Sequence, residues 1–315
     1  MTAQTQQQQA AHLPVMLDEV LEALDLQPTG IYVDCTFGRG GHSGAILERL
    51  GPQGRLIALD RDPSAVAEAR DRFADDPRFT IVHSPFSALR EALEPLGAWG
   101  KVSGLLLDLG VSSPQLDEAE RGFSFMRDGP LDMRMDPTHG ESAAELLSHV
   151  DETELADILW RLGEERFSRR IARAIVATRA ETPITRTGQL AELIAAAVPR
   201  REPGKHPATR SFQALRLWVN QELAELEAVL PQTYEALAIG GRLAVISFHS
   251  LEDRMVKNFL RGEQAPELPP EIPLMVEQPP SPWRLLGRAR KASAAEVAQN
   301  PRSRSAVLRV GEKRS

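Results

Sequence analysis

The chain has almost no cysteine: Cys35 is the only one among 315 residues. That excludes a disulfide framework, a multi-thiolate zinc site and a Cys-x-x-Cys redox pair within one chain, and the expectation is no metal and a reducing, cytoplasmic setting. Long apolar runs are missing too. None reaches the roughly 18 residues a membrane span needs, so no membrane partner is expected. The opening MTAQTQQQQAAHLP has no apolar core of the signal-peptide kind, and its Gln tract reads as a disordered tail over residues 1–11. What is present is ordinary for a soluble globular protein, with 42% hydrophobic and 26% charged residues. The length allows one large domain or two unequal ones.

Positive charge is the scarcer sign, with a net of −7, which argues against a nucleic-acid partner until its distribution is considered. Residues 1–165 carry 13 Lys+Arg against 29 Asp+Glu, a net of −16; residues 166–216 carry 11 against 3, a net of +8. Residues 217–283 carry 4 against 10, a net of −6, and residues 284–315 carry 9 against 2, a net of +7. Two basic blocks therefore sit in an acidic protein. Charge alone leaves two readings open, a solvated helix face with a basic tail or a surface for phosphates.

The first third alternates short apolar runs, at 31–36, 55–60, 78–83 and 102–109, with helical patterns at 42–50, 63–74 and 87–96. An amphipathic helix over 15–26 precedes them, with Leu17, Val20, Leu21 and Leu24 on one face. Strand–helix repetition at this spacing predicts an α/β fold, a parallel sheet with helices on both faces. Residues 114–140 have no clear period. Helices are then predicted at 151–162, 164–181, 186–198 and 209–230, and the strand pattern returns at 241–248, followed by a helix at 251–260. Further strands are predicted at 274–277 and 305–310. The economical organisation is a discontinuous α/β domain over 12–115 and 221–315, with a helical domain over 116–220 inserted between its fourth and fifth strands.

The first strand runs into Asp34-Cys35-Thr36-Phe37-Gly38-Arg39-Gly40-Gly41-His42-Ser43. Glycines there allow a tight turn and close approach of a ligand to the backbone. Gly38-x-Gly40 matches half of a dinucleotide fingerprint, but Ser43 stands where its third glycine belongs. An acidic strand end followed by Gly38, Gly40 and Gly41 fits a methyl-donor loop better, and a plain tight turn is the bland alternative. Asp60 ends the second strand, where a carboxylate can accept both ribose hydroxyls of an adenosine; Asp62 is better placed to cap the following helix. Phe86 stands where it can flank an adenine ring or simply pack in the core. Asp108 ends the fourth strand, so Asp34, Asp60 and Asp108 share the edge where open α/β sheets bind ligands.

These segments resemble the bacterial 16S ribosomal RNA (cytosine-N4)-methyltransferase family. The likeness is carried by HLPVML at 12–17, DCTFGRGGHS at 34–43, ALDRD at 58–62, DLGVSSPQLD at 108–117, RGFSF at 121–125 and GPLDMRMD at 129–136. It continues with GEERFSRRIARAI at 163–175, ATRSFQALRLWVNQEL at 208–223, ISFHSLEDRMVK at 246–257 and NPRSRSAVLRV at 300–310. The resemblance implies a Rossmann-like class I methyltransferase fold with an inserted helical domain. It implies S-adenosyl-L-methionine as donor, with contacts from Gly40, Gly41, His42, Asp60, Phe86, Asp108 and Gln115. It implies N4 methylation of a cytidine in the decoding region of 16S rRNA, cytidine 1402 in the usual rRNA numbering. The partner is then 16S rRNA in the small ribosomal subunit or a late precursor; a homodimer is compatible with the sequence.

The chemistry asks for alignment of a weakly nucleophilic amine with an electrophilic methyl, which supplies roughly 7–11 kcal/mol, and for a proton acceptor. Many amino-methyltransferases carry Asp/Asn-Pro-Pro-aromatic after the fourth strand; here the segment is Asp-Leu-Gly-Val-Ser-Ser-Pro. Asp108 is therefore a candidate for binding the donor, the target amine or both. Ser112, Ser113 and Ser250 are candidates for holding the base, and His249 for taking the proton. Arg169, Arg170, Arg173, Arg200, Arg201, Lys205, Arg210 and Arg216 in the inserted domain, with Arg302 and Arg304 near the end, are candidates for phosphate contacts. Two other classes remain in view. A non-catalytic RNA-binding assembly factor predicts a damaged donor loop, and a nicotinamide-dependent dehydrogenase predicts a third glycine.

Overall fold

The computed structural model describes residues 14–200, 204, 206–262 and 281–314. Its sheet is built from β1 (Ile31–Asp34), β2 (Arg55–Asp60), β3 (Phe79–His83), β4 (Val102–Asp108), β5 (Leu237–Ser247), β6 (Trp283–Leu285), β7 (Arg290–Lys291) and β8 (Val307–Lys313). The order is β3-β2-β1-β4-β5-β8-β6, with β7 pairing β8. β1 to β5 run parallel, and β8 is antiparallel to β5. The order reverses between β1 and β4, which opens a crevice beyond their carboxyl ends. Asp34 pairs with Ala58 of β2 and Leu106 of β4. Asp60 and Asp108 therefore lie two residues beyond Asp34's partners, and the period of two puts all three acids on one face.

Two compact units divide the chain, one up to Gly110 and from Ala224 onward, the other Val111–Leu223. The helices are α1 (Leu17–Leu24), α2 (Gly41–Leu47), α3 (Pro63–Arg72) and α4 (Leu89–Leu93) before β4. Then come α5 (Ser113–Asp117), α6 (Ala143–His149), α7 (Glu152–Gly163), α8 (Ser168–Glu181), α9 (Thr187–Ala197) and α10 (Thr209–Val219). α11 (Glu222–Ala236) leads into β5, followed by α12 (Ser250–Arg261) and α13 (Ala294–Gln299).

The sheet is apolar on both faces, as a covered parallel sheet must be. Val33, Ile57, Leu59, Leu105, Leu107 and Val245 pack with Leu89 and Leu93 of α4, Leu226 and Val229 of α11 and Val256 of α12. The alternate residues Tyr32, Leu56, Leu106, Ala244 and Ile246 pack with Val20 and Leu24 of α1 and Ile46 and Leu47 of α2. The second unit has its own core, in which Leu155 and Leu159 meet Ile171, Ile175, Leu190, Phe212 and Leu215.

Several boundaries differ from the sequence reading. The helix expected over 209–230 is two helices: Gln221 has φ 51°, and buried Asn220 ties the junction down. Its Oδ1 accepts from the Met135 N–H at 2.8 Å and its Nδ2 donates to the Met133 carbonyl at 2.7 Å. The helix expected from 164 starts at Ser168, because Glu164, at φ 51°, ends α7. The strand expected at 305–310 begins at Val307, since Pro301–Ser305 forms a 3-10 turn. β6 and β7 are too short to leave a pattern. The tail at 1–11 and the strand expected at 274–277 lie outside the described residues.

Candidate functional site

The glycine loop is shaped by what surrounds it. Gly38 and Gly40 have φ of 55° and 68°, a region costly to residues with a side chain. A Cβ at Gly40 would stand 2.6 Å from the Phe37 ring. Asp34 is buried and holds the loop from beneath: its Oδ2 accepts from Ser43 Oγ at 2.7 Å and its Oδ1 from the Thr36 N–H at 3.1 Å. Burial raises its pKa, against the opposing effect of the Ser43 hydrogen bond. Thr36 also reaches the next strand, its Oγ1 accepting from the Asp108 N–H at 2.8 Å. Thr36 and Ser43 escaped the sequence reading, although both lie inside the loop; a strand-end acid followed by hydroxyls is the signal that finds them.

Asp60 bridges the ends of two turns. Its Oδ2 accepts from the Gly38 N–H at 2.8 Å and its Oδ1 from the Asp62 N–H at 2.8 Å. Burial pushes its pKa up to about 6, although both backbone hydrogen bonds pull the other way. Capping of α3 falls to Asp62, whose Oδ1 accepts from the Ser64 N–H at 2.9 Å. Phe86 opens a 3-10 turn and is half-buried, packed against the apolar cluster on one sheet face.

Asp108 and His42 face each other. His42, in the first turn of α2, is buried, and its Nε2 lies 3.5 Å from Asp108 Oδ2. The ring is also set against the Val15 carbonyl, whereas Asp108 Oδ1 has no hydrogen-bond partner. Burial works against a charged His42, but Asp108 and Asp34 outweigh it and raise the pKa. A buried acceptor with open lone pairs is costly unless a ligand completes it.

His249 has a local task. It caps α12: its Nδ1 accepts from the Glu252 N–H at 3.5 Å, and its Nε2 stands 3.1 Å from Glu252 Oε1. The buried Glu252 carboxylate also accepts from the Phe248 N–H at 2.9 Å. Ser250 is exposed at the start of the same helix.

The remaining candidates divide between the units. Ser112, Ser113 and Gln115 belong to the second, where Gln115 is buried and its Oε1 accepts from the Ser112 N–H at 2.9 Å. Its basic block sorts by partner. Arg216 pairs with Glu222 at 2.8 Å, and Arg210 Nη1 donates to the Glu164 carbonyl at 3.0 Å. Arg169, Arg170 and Arg173 are exposed along α8, Arg173 lying 3.6 Å from Glu152, and Arg200 is exposed beyond α9. Arg201 and Lys205 lie outside the described residues. Arg302 and Arg304, in the first unit, are exposed on the 3-10 turn before β8. Among the described residues there is no cluster of three or more His, Cys, Asp or Glu arranged to hold a metal ion, and no helix long and apolar enough to cross a membrane.

Comparison with known proteins adds the lineage. Residues 9–314 match the MraW methylase family. A ribosomal RNA small subunit methyltransferase H from Thioalkalivibrio sulfidiphilus (strain HL-EbGR7) is 62% identical over 305 residues, covering 96% of this chain and 97% of that protein. Among solved structures, an rRNA methylase from Streptococcus thermophilus aligns over 95% of this chain and 94% of its own, at 12% identity and a TM-score of 0.39. With a matching family spanning nearly all of its length and a relative this similar, the chain belongs to the MraW methylase family.

Proposed function

We propose that this chain transfers a methyl group from S-adenosyl-L-methionine to the exocyclic N4 of a cytidine in the decoding region of 16S rRNA, in the small ribosomal subunit or a late precursor. The observation that carries the reading is the set of strand-end acids at the β1/β4 switch point, beside a glycine turn into which no Cβ fits at Gly40. The small-subunit rRNA methyltransferase named above, 62% identical to this chain, supports it.

The residues present fit such a donor. Asp108 Oδ1 is a buried acceptor without a partner, and the glycine turn keeps side chains off the backbone. Bound S-adenosyl-L-methionine supplies an electrophilic methyl on a sulfonium. Asp60 accepts the ribose hydroxyls with lone pairs left over from its two backbone hydrogen bonds, and Phe86 flanks the adenine. Gly40, Gly41 and the His42 backbone give the chain's close approach, and Asp108 binds the donor through its carboxylate. Gln115 remains assigned to the donor on the resemblance, and Ser112, Ser113 and Ser250 remain candidates for the base from their place beyond the strand ends.

His249 reads as a cap that shapes the turn between β5 and α12. Its Nδ1 accepts a backbone N–H and its Nε2 faces a buried carboxylate, so proton uptake from substrate would have to undo the helix start. The exposed Arg169, Arg170, Arg173, Arg200, Arg302 and Arg304 position RNA by its phosphates, and the target base leaves its stack to react.

The test is methylation of small subunits isolated from cells lacking this protein, followed by mass mapping of the rRNA. One added methyl on N4 of a decoding-region cytidine is expected. A methyl elsewhere, or none with donor bound, would refute the assignment. The intact glycine turn disfavours the non-catalytic reading, and a titration of S-adenosylmethionine against NAD separates the dehydrogenase.

A further inference from the structure

The His42 imidazole has a position that donor contact through the loop backbone does not explain. Its side chain is 6% exposed, and within the protein its ring meets the Asp108 carboxylate, 3.5 Å from Nε2, and the Val15 carbonyl. A phenyl ring would fill the same volume without burying two polar nitrogens. What the imidazole has and a phenyl lacks is an N–H set 3.5 Å from Asp108 Oδ2. The carboxylate can turn about its last bond, where the torsion is broad and two-fold. A donor fixed beside one oxygen breaks that symmetry.

We infer that His42 is a positioning residue for Asp108: its Nε2, 3.5 Å from Oδ2, fixes the orientation of the carboxylate at the end of β4. Three groups face the ring from the elements around it: Asp108 at the end of β4, Asp34 at the end of β1 and the Val15 carbonyl ahead of α1. All three favour a proton on the ring, so His42 keeps a donor for Oδ2 in its charged form and, as the Nε2–H tautomer, in its neutral form. The inference rests on the donor-binding reading only for what the carboxylate receives. The coupling of His42 to Asp108 stands apart from it.

The experiment has two arms. In the first, the His42 ring is followed by NMR against pH, with His42→Gln to assign its signal, in the wild-type chain and in Asp108→Asn. The titration midpoint should fall in Asp108→Asn; an unchanged midpoint overturns the coupling. In the second, S-adenosyl-L-methionine affinity is measured by calorimetry. His42→Phe should weaken it roughly 10- to 100-fold, the usual effect of losing a group that orients a ligand-binding side chain. His42→Gln, which keeps an N–H, should recover most of the affinity. In an Asp108→Asn background His42→Phe should cost less than about threefold. Equal losses in both backgrounds would make His42 a packing residue and overturn the inference. Should the wild-type chain bind no S-adenosyl-L-methionine, the donor reading falls, and the NMR arm still decides the coupling.

Discussion

The raised pKa of Asp60 turns donor binding into a pH-dependent event. Burial lifts the carboxyl from an ordinary 3.8 to about 6 in the ligand-free protein. Ribose hydroxyls donate to the ionised form, so the bound state favours the carboxylate and its pKa must lie lower. The sign follows: affinity is full above pH 6 and falls as pH drops through 6, with proton release on binding below that value. At pH 7 about nine-tenths of the free protein has Asp60 ionised and at pH 5 about one-tenth, so affinity should drop about tenfold between them. Calorimetry in buffers of different ionisation enthalpy reads both the affinity and the proton release. Asp60→Asn should bind more than tenfold more weakly at pH 7, since charge-assisted hydrogen bonds are worth about 1.5–3 kcal/mol each, and should lose this pH dependence. His42 and Asp34 titrate as well, but Asp60→Asn retains both, so whatever slope it keeps is theirs. A wild-type affinity flat from pH 5 to 7, or a slope unchanged in Asp60→Asn, would refute the role of Asp60.

Three further outcomes follow from the geometry. Gly40→Ala places a methyl against the Phe37 ring in a left-handed backbone, with strain of about 1–2 kcal/mol before the clash. It should lower the thermal midpoint and abolish measurable donor binding, and normal binding would remove the loop from the site. Replacing Arg169, Arg170 and Arg173 together by Ala should weaken RNA binding and reduce its log–log salt slope by about 0.7–0.9 per lost phosphate contact, leaving donor affinity alone; an unchanged slope would make that α8 face merely solvated. Asp108→Asn should weaken donor binding with the saturating single-turnover rate largely kept, whereas wild-type affinity with a rate loss of roughly 10²–10⁴ would make Asp108 a catalytic residue.

The inner parallel strands were legible because they are buried on both faces and end in residues of contrasting polarity: Leu105, Leu106 and Leu107 followed by Asp108 can hardly be anything else. The junction at Asn220 was not legible, because residues 209–230 keep a helical period through it. The break comes from a tertiary tether to Met133 and Met135, far away in sequence, and no local signal announces it. β6 and β7 are defined by the partner β8, and two or three residues cannot carry a period. In the candidate site the acids were visible as strand ends, and His42 read through the resemblance as a donor contact of the glycine loop, not as a neighbour of Asp108. That its ring turns towards Asp108 depends on the placement of α2 against the sheet, which no spacing within the loop encodes.

The division of labour among the three acids follows from what each has left to give. Asp34 is 1% exposed, and Ser43 and Thr36 occupy its two oxygens, so it serves as a scaffold that fixes the glycine turn and contributes charge to His42. Asp60 accepts one backbone N–H on each oxygen, and an ionised carboxylate offers about four acceptor sites, which leaves room for two hydroxyls without breaking the loop. Asp108 differs from both. Its side chain is 23% exposed, its Oδ2 is set against His42, and its Oδ1 has no partner. After β2 and β4 another residue does the capping that a strand-end acid would otherwise do: Asp62 caps α3, and Ser112 with Gln115 caps α5. The strand ends at Asp60 and Asp108 are thereby released from capping, which is why acceptor capacity survives there in a folded chain that would otherwise consume it.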